Sequence, residues 1–314
     1  MIEISVIIPT RNRARLLKNV FESLIFQTIK PELFEVIVVD NGSTDNTVDI
    51  CEEYRKKFKN FTYIREGRPG LHMGRHAGLK NAKAEILTFA DDDIEAFPTW
   101  LEAILDSFGN KEVVLVGGKC LPKFECEPPN WLLNMWDKKR IIGYLSLIDL
   151  GNEVKEIDPI YVFGCNFSIR KEALLKAGGF HPDGMPEELI KYRGDGETYV
   201  SLFIKNEGYK AIYNPKASIY HFVPKERMTV EYFKRRAFLQ GISDSYSDTR
   251  YGRKRSLLKL KMKTFIKSIF SEWSAIEQSY IHGYEYHQNE MKRDVFLREW
   301  VFRENYIDHM GVIK

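Results

Sequence analysis

Strand-length apolar runs alternate with helical periods from the first residues to about Gly118, and no other feature narrows the fold as far. Ser5-Val6-Ile7-Ile8 reads as a strand. Leu16, Leu17, Val20, Leu24 and Ile25 then recur at helical spacing. Val36-Ile37-Val38-Val39 is continuously apolar, as a strand covered on both faces requires. Ser43 or Thr44 can cap a helix running to about Phe58. Further strands are expected at 62–64, 85–89 and 113–116, with helices over 75–84 and from Pro98 to Phe108. This order predicts an α/β sheet with right-handed crossovers. Residues 121–160 lose the period and read as a long loop with one short helix. Strands at 161–169, 210–213 and 219–222 and a helix over 195–206 follow, and from about Thr229 the chain reads as helical. A division near residue 225 separates an α/β body, 1–225, from a helical extension, 226–314.

Composition excludes several classes. At 44% hydrophobic and 29% charged residues the chain is globular rather than disordered. No apolar run is long enough to span a bilayer, and the opening Met1-Ile2-Glu3-Ile4 reads as a buried strand rather than a secretory leader. Cys51, Cys120, Cys126 and Cys165 form no zinc spacing and no disulfide framework, which points to a reducing compartment, the cytoplasm. The net charge is +3, but eight of the 47 Lys and Arg lie within 250–273 beside one acidic residue. The remainder is mildly acidic, which argues against nucleic acid as a partner.

Strand ends carry the chemistry. No Gly-x-Gly-x-x-Gly and no Gly-Lys-Ser/Thr loop occurs, so dinucleotide and P-loop sites lose their main support. Asp40 and Asn41 close the second strand, where open α/β sheets bind ligands. The same pair can equally form a turn and cap the next helix. Asp91-Asp92-Asp93 directly follows a buried strand. Three adjacent carboxylates repel one another and gain by binding a hard divalent cation, so removing one should relieve repulsion when no metal is present.

These residues resemble glycosyltransferase family 2, which has the GT-A fold. The resemblance runs through Thr10-Arg11-Asn12, Asp40 to Asp45, Gly74-Arg75-His76-Ala77-Gly78, Asp91-Asp92-Asp93, Gly164 to Arg170 and Gly178-Gly179-Phe180, and covers roughly residues 2–223. It implies a mainly parallel mixed sheet flanked by helices. It also implies an inverting transferase that uses a nucleoside-diphosphate sugar, UDP-sugar being favoured, with Mn²⁺ or Mg²⁺. Carried over by residue, Pro9, Thr10, Arg11 and Asp40 border the base and ribose. Arg75 reaches the base or diphosphate, and Asp91 and Asp92 adjoin the ribose. Asp93 holds the metal, with His221 near it. His76 stands where the family has Asn. Arg11 and Arg13 also read as solvated charges at a helix start. The catalytic base falls on Glu197 or Asp195, the alternatives being a first-turn charge and a helix cap.

Two other readings use the same residues. A haloacid-dehalogenase-type phosphatase also places Asp-x-Asp after a strand, but wants Thr or Val where Glu95 stands and a nucleophile where Pro9-Thr10 stands. A sugar-nucleotide-binding regulator would keep the pocket without the reaction. Trp131 and Trp136 suit either sugar contact or packing. Residues 250–273 combine an apolar stripe with cations, as a helix lying on an anionic membrane or one packed on the body would. A glycan or lipid-linked acceptor would make membrane docking at the inner face useful. Oligomeric state is not legible.

Overall fold

The computed structural model describes residues 1–253, 255–257, 261 and 274–308. Its main sheet begins with β1 (Ile4–Thr10), β2 (Phe34–Asp40), β3 (Phe61–Arg65), β4 (Ile86–Ala90), β5 (Ile94–Ala96) and β6 (Val113–Gly117) in chain order, of which β5 belongs elsewhere. The helices between them are α1 (Ala14–Ile25), α2 (Thr47–Arg55), α3 (Leu71–Asn81) and α4 (Trp100–Phe108). Then come β7 (Cys120–Phe124), α5 (Asn130–Lys139), β8 (Ile141–Ile142), β9 (Leu147–Ile148), β10 (Lys155–Glu156) and β11 (Asn166–Arg170). Last are α6 (Lys171–Lys176), α7 (Glu197–Asn206), β12 (Lys210–Tyr213), β13 (Ile219–Val223), α8 (Val230–Arg250), α9 (Ser274–Arg293) and α10 (Val295–Val301).

The large sheet runs β10-β12-β6-β11-β4-β1-β2-β3. β1 is parallel to β2 and β4, and β11 is antiparallel to both β4 and β6, so the sheet is mixed. Ile4, Val6 and Ile8 of β1 pack against α1, α2 and α4, while Ile7 faces α3, α6 and α7 across the sheet. Two covered faces are why β1, β2 and β4 are buried throughout. Thr10 pairs with Asp40, so the carboxyl ends of β1 and β2 lie level at one edge.

Residues 121–160 are more ordered than their sequence predicts. A second sheet, β5-β13-β7-β9-β8, covers that edge. Of its strands the sequence predicts only β13, at 219–222; the others are two to five residues long, too short to show a period. Beneath it Leu132, Trp136, Ile142, Leu145 and Leu147 form a core with Val223, Phe233 and Ala237. Trp136 is therefore a packing residue, and Trp131 packs edge-on against Phe233 at 5.2 Å. Neither Ser43 nor Thr44 caps α2: the N-cap is Asn46, and Asp45 just before it accepts from Thr47 N through Oδ1 at 3.2 Å. α3 begins four residues earlier than expected, because Gly70 turns the chain at φ 108° and Leu71 N donates to Asp183 O. The strand expected at 161–169 starts only at Asn166, after a 3₁₀ turn at Pro159–Tyr161.

The helical extension is docked, not appended. α8 and α9 cross so closely that a Cβ on Gly241 would lie 2.1 Å from Tyr280 O, and one on Gly283 1.9 Å from Phe238 O. Tyr246, Trp300 and Tyr306 form a further small core with Tyr192. No described helix is long and apolar enough to cross a membrane. Residues 254, 258–260 and 262–273 of the cationic segment lie outside the described residues. Of its other cations, Arg250 donates to the carbonyls of Val301 and Arg303, Arg255 to Asp248, and Lys261 pairs with Glu285. The cysteines are free, Cys120 and Cys165 lying 3.7 Å apart at sulfur.

Candidate active site

A cleft of about 410 Å³ opens at the carboxyl edge of β1, β2 and β4. It is lined by Pro9, Thr10, Arg11, Arg75, Asp91, Asp92, Asp93, Glu197 and His221 among others. Two residues expected at the site stand outside its lining, Asp40 and Asp195.

The second sheet builds the centre of the cleft. β5 leaves the acidic turn and pairs antiparallel with β13, setting His221 opposite Ile94. Phe222 N donates to Asp93 O at 2.9 Å, which locks the turn to β13. His221 Nε2 then lies 3.1 Å from Asp93 Oδ1, and its Nδ1 lies 2.8 Å from Leu145 O. One ligand atom each from Asp91, Asp93 and His221 falls within 4.8 Å of the others. Two carboxylates and one imidazole suit a divalent ion such as Mn²⁺. With Nδ1–H held by Leu145 O, Nε2 is the nitrogen that would face an ion once its proton is lost.

The electrostatics differ from simple carboxylate repulsion. Asp93 is buried, which pushes its pKa up, yet His221, Arg227 and Arg13 hold it well below the usual carboxylate range. Burial pushes His221 down, but Asp93 outweighs it and lifts the imidazole to about 9. Burial raises Asp92 to about 6 against the pull of Arg13. Arg13 Nη1 bridges Asp92 Oδ1 at 2.9 Å and Asp93 Oδ2 at 2.8 Å, and Arg227 reaches Asp93 at 3.3 Å. Asp93 is thus the counter-charge of three cations. Asp93 still repels Asp91 and Asp92, but these three cations mean that its removal is expected to cost stability, against the relief expected from the sequence. Arg13 is a member of the cleft rather than a solvated helix-start charge.

Glu197 opens α7 on the opposite wall. Its Oε2 is 3.2 Å from Arg75 Nη1, and its Oε1 accepts from Gly164 N at 3.2 Å. Arg75 is buried and also faces Asp91 at 3.9 Å, so it links the acidic turn to Glu197. A Cβ on Gly164 would sit 2.5 Å from Arg75 Nη2 and 2.7 Å from Glu197 Oε1, so a side chain there would displace both groups. Asp195 points the other way. Its carboxylate accepts from Ser247 at 2.5 Å and meets His181 Nδ1 at 2.6 Å, tying α8 to the body. Burial lowers the His181 pKa against the pull of Asp195.

The remaining expected residues divide in the same way. Thr10 Oγ1 donates to Asp92 at 2.7 Å. Arg11 is exposed at the rim. Asp40 is fully buried and accepts from Ser43 N at 2.7 Å and Tyr63 OH at 2.6 Å, the turn-forming role. Asn41 lines the cleft beside it. His76 takes no part in the cleft lining, since its Nε2 accepts from Phe180 N at 2.9 Å. Sequence reasoning missed Arg227 and the residues that α8 supplies, Tyr232 and Arg236. Their i, i+4 spacing is a signal, but nothing in the sequence shows what that face meets.

A mixed sheet with an acidic turn at its carboxyl edge, roofed by a small second sheet, defines a GT-A glycosyltransferase. Solved structures of that fold match. The mannosyltransferase PcManGT of Pyrobaculum calidifontis, solved with GDP-Man and Mn²⁺, gives a TM-score of 0.59 at 18% identity over 97% of this chain and 84% of that one. S. aureus TarS 1–349, solved with UDP-GlcNAc, gives 0.55 at 17% identity over 93% and 92%. The model of glycosyl transferase family 2 matches residues 5–178, and the chain belongs to that family. Family membership sets the phosphatase reading aside. Among named relatives, the glucosyl-dolichyl phosphate glucuronosyltransferase of Haloferax volcanii is 22% identical over 79% of this chain and 78% of its own length. Glycosyltransferase AglE of the same organism is 33% identical over 37% of this chain and 38% of its own. The poly(ribitol-phosphate) beta-glucosyltransferase of Bacillus spizizenii is 38% identical over 29% of this chain, and the match spans only 15% of that protein.

Proposed function

We propose that this protein is an inverting glycosyltransferase that moves a sugar from a nucleoside-diphosphate sugar to a hydroxyl of a glycan or lipid-linked acceptor. The observation that carries the reading is Glu197 facing the Asp91, Asp93 and His221 cluster across the buried Arg75. The nucleoside belongs at the ends of β1 and β2, beside Pro9, Thr10, Arg11 and Asn41. Asp91, Asp93 and His221 would hold Mn²⁺ in preference to Mg²⁺, since one donor is an imidazole. When bound, the ion neutralises charge on the diphosphate. Glu197 accepts the proton of the acceptor hydroxyl as that oxygen bonds to the anomeric carbon. The bond to the diphosphate oxygen breaks on the opposite face, which inverts the centre. Arg75 orients Glu197 and adds positive charge beside the leaving group.

In this reading residues 1–225 form the catalytic body and 226–314 complete the cleft. UDP is the favoured donor nucleotide. The dolichyl phosphate in the name of the Haloferax relative supports a lipid-linked acceptor, which contact of 250–273 with the inner membrane face would serve. The test is a melting-temperature panel of UDP-, GDP- and dTDP-sugars with and without Mn²⁺, followed by NMR of the product anomer. A ligand at a hundred times its dissociation constant adds about 2.7 kcal/mol. If no sugar nucleotide shifts the melting point, or the product retains its configuration, the reading fails.

A further inference from the structure

We propose that the acceptor carries an oxyanion, a phosphate or a carboxylate, held by Arg236 on the wall of the cleft that α8 supplies. The inference rests on the transferase reading and adds the chemical class of its acceptor. Arg236 lines the cleft from α8, one turn after Tyr232. Its Nε is buried and makes no hydrogen bond. The buried or half-buried arginines around it each have a carboxylate: Arg13 has Asp92 and Asp93, Arg75 has Glu197, Arg193 has Asp183 and Arg227 has Asp93. Asp183, a further carboxylate of the cleft lining, meets Arg193 at 2.5 Å. Among the described residues, Arg236 is thus a half-buried cleft guanidinium with no carboxylate within ion-pair distance, Asp183 attracting it only from further off.

A buried donor without an acceptor is costly, so its persistence in a cleft points to a partner supplied from outside. A planar guanidinium fork matches an oxyanion with two parallel hydrogen bonds. The helix that carries it is fixed in place. Ala237 beside Arg236 is fully buried, Thr229 caps α8 by accepting from Tyr232 N, and Ser243 on the same helix bonds Arg193. Arg236 enters the cleft from a different element than the residues assigned above to the donor nucleoside. Pro9, Thr10 and Asn41 mark the β1 and β2 end, and the Asp91, Asp93 and His221 cluster lies at the centre. Arg236 enters with Tyr232 from α8, beside Asp183 and Arg193.

The experiment is calorimetry on the full chain saturated with Mn²⁺ and the nucleoside diphosphate that binds it. Glycerol phosphate, glycerate and glycerol are the three probes. The anions are expected to bind and glycerol not, and the tighter anion identifies the acceptor group as phosphate or carboxylate. Arg236→Gln should weaken anion binding at least about tenfold and leave nucleotide affinity within about twofold. Arg236→Lys should retain part of it, since charge survives and the fork does not. The melting point of Arg236→Gln should not fall, because no hydrogen bond of Arg236 is lost. Anions that fail to bind, bind equally to Arg236→Gln, or compete with the nucleotide would overturn the proposal. The last result would assign Arg236 to the donor diphosphate. Failure of every nucleoside diphosphate to bind would instead sink the transferase reading, and this proposal with it.

Discussion

His221 Nε2 stands 3.1 Å from Asp93 Oδ1 while its Nδ1 is held 2.8 Å from Leu145 O. The pairing of β5 with β13 sets this relationship, joining residues 128 positions apart. A histidine so oriented offers one defined nitrogen to a metal. His221→Ala should raise the Mn²⁺ concentration needed for nucleotide binding by at least about tenfold. Asp93→Asn should do the same and also lower the melting point, since Arg13, Arg227 and His221 lose their shared counter-charge. Mn²⁺ titrations in the presence of UDP or GDP check both. Unchanged metal dependence in the two variants would remove these residues from the metal site.

Glu197 and Asp195 are two residues apart and face opposite ways. Glu197→Gln should lose about 10²- to 10⁴-fold in turnover, the usual contribution of a general base. Donor affinity should stay within a few-fold. Asp195→Asn should keep most of the rate but lose about 1–3 kcal/mol of stability, because its carboxylate satisfies Ser247 and His181 in a buried setting. Single-turnover kinetics and denaturant midpoints separate the two. A large rate loss in Asp195→Asn, with Glu197→Gln active, would reverse the assignment.

The body of the fold was legible because β1, β2, β4 and β6 are long, buried strands that leave an apolar run. The acidic turn was legible because its members are adjacent. Of the second sheet only β13 was legible, as the strand expected at 219–222, while β5, β7, β8 and β9 are two to five residues long and β7 includes Pro122. With the pairing of β13 to β5 unseen, the meeting of His221 with Asp93 could come only from the family resemblance. Direction was also invisible. Asp40 and Asp195 have the right type and place in the chain, but Tyr63 and Ser247 claim their carboxylates, and both partners lie far away in sequence. α8 was legible as a helix, yet its role in the cleft depends on how it docks.

The docking itself is testable at Gly241 and Gly283. A methyl group on either glycine would overlap a carbonyl oxygen of the facing helix, at 2.1 Å and 1.9 Å. Gly283→Ala should therefore separate α8 from α9, at a cost of about 1–3 kcal/mol or more. Propensity alone would favour alanine in a helix by about 1 kcal/mol, so the sign distinguishes crowding from propensity. Because α8 carries Tyr232 and Arg236 into the cleft, turnover should fall along with the denaturant midpoint. A midpoint that rises would mean that the helices do not cross this closely.

Stability should fall in mild acid through the buried histidines. His287 is fully buried between α9 and α8, with Nδ1 2.8 Å from Ser245 Oγ and Nε2 without a hydrogen-bond partner. Burial lowers its pKa to about 4. His76 is held neutral in the same way by burial, with Nε2 accepting from Phe180 N. An unfolded histidine takes its proton near pH 6.5, so between about 6.5 and 4 the unfolded chain binds more protons than the folded one. Stability is then fully present above 6.5 and declines as pH falls to 4, by about 3 kcal/mol for His287. Asp92, lifted to about 6, acts in the opposite direction over part of this range. Comparing wild type with His287→Asn cancels the Asp92 contribution. Urea unfolding at pH 7.5, 6 and 5 should show a shallower decline in the variant, whatever its plateau. Equal slopes would mean that His287 carries its proton in the folded protein.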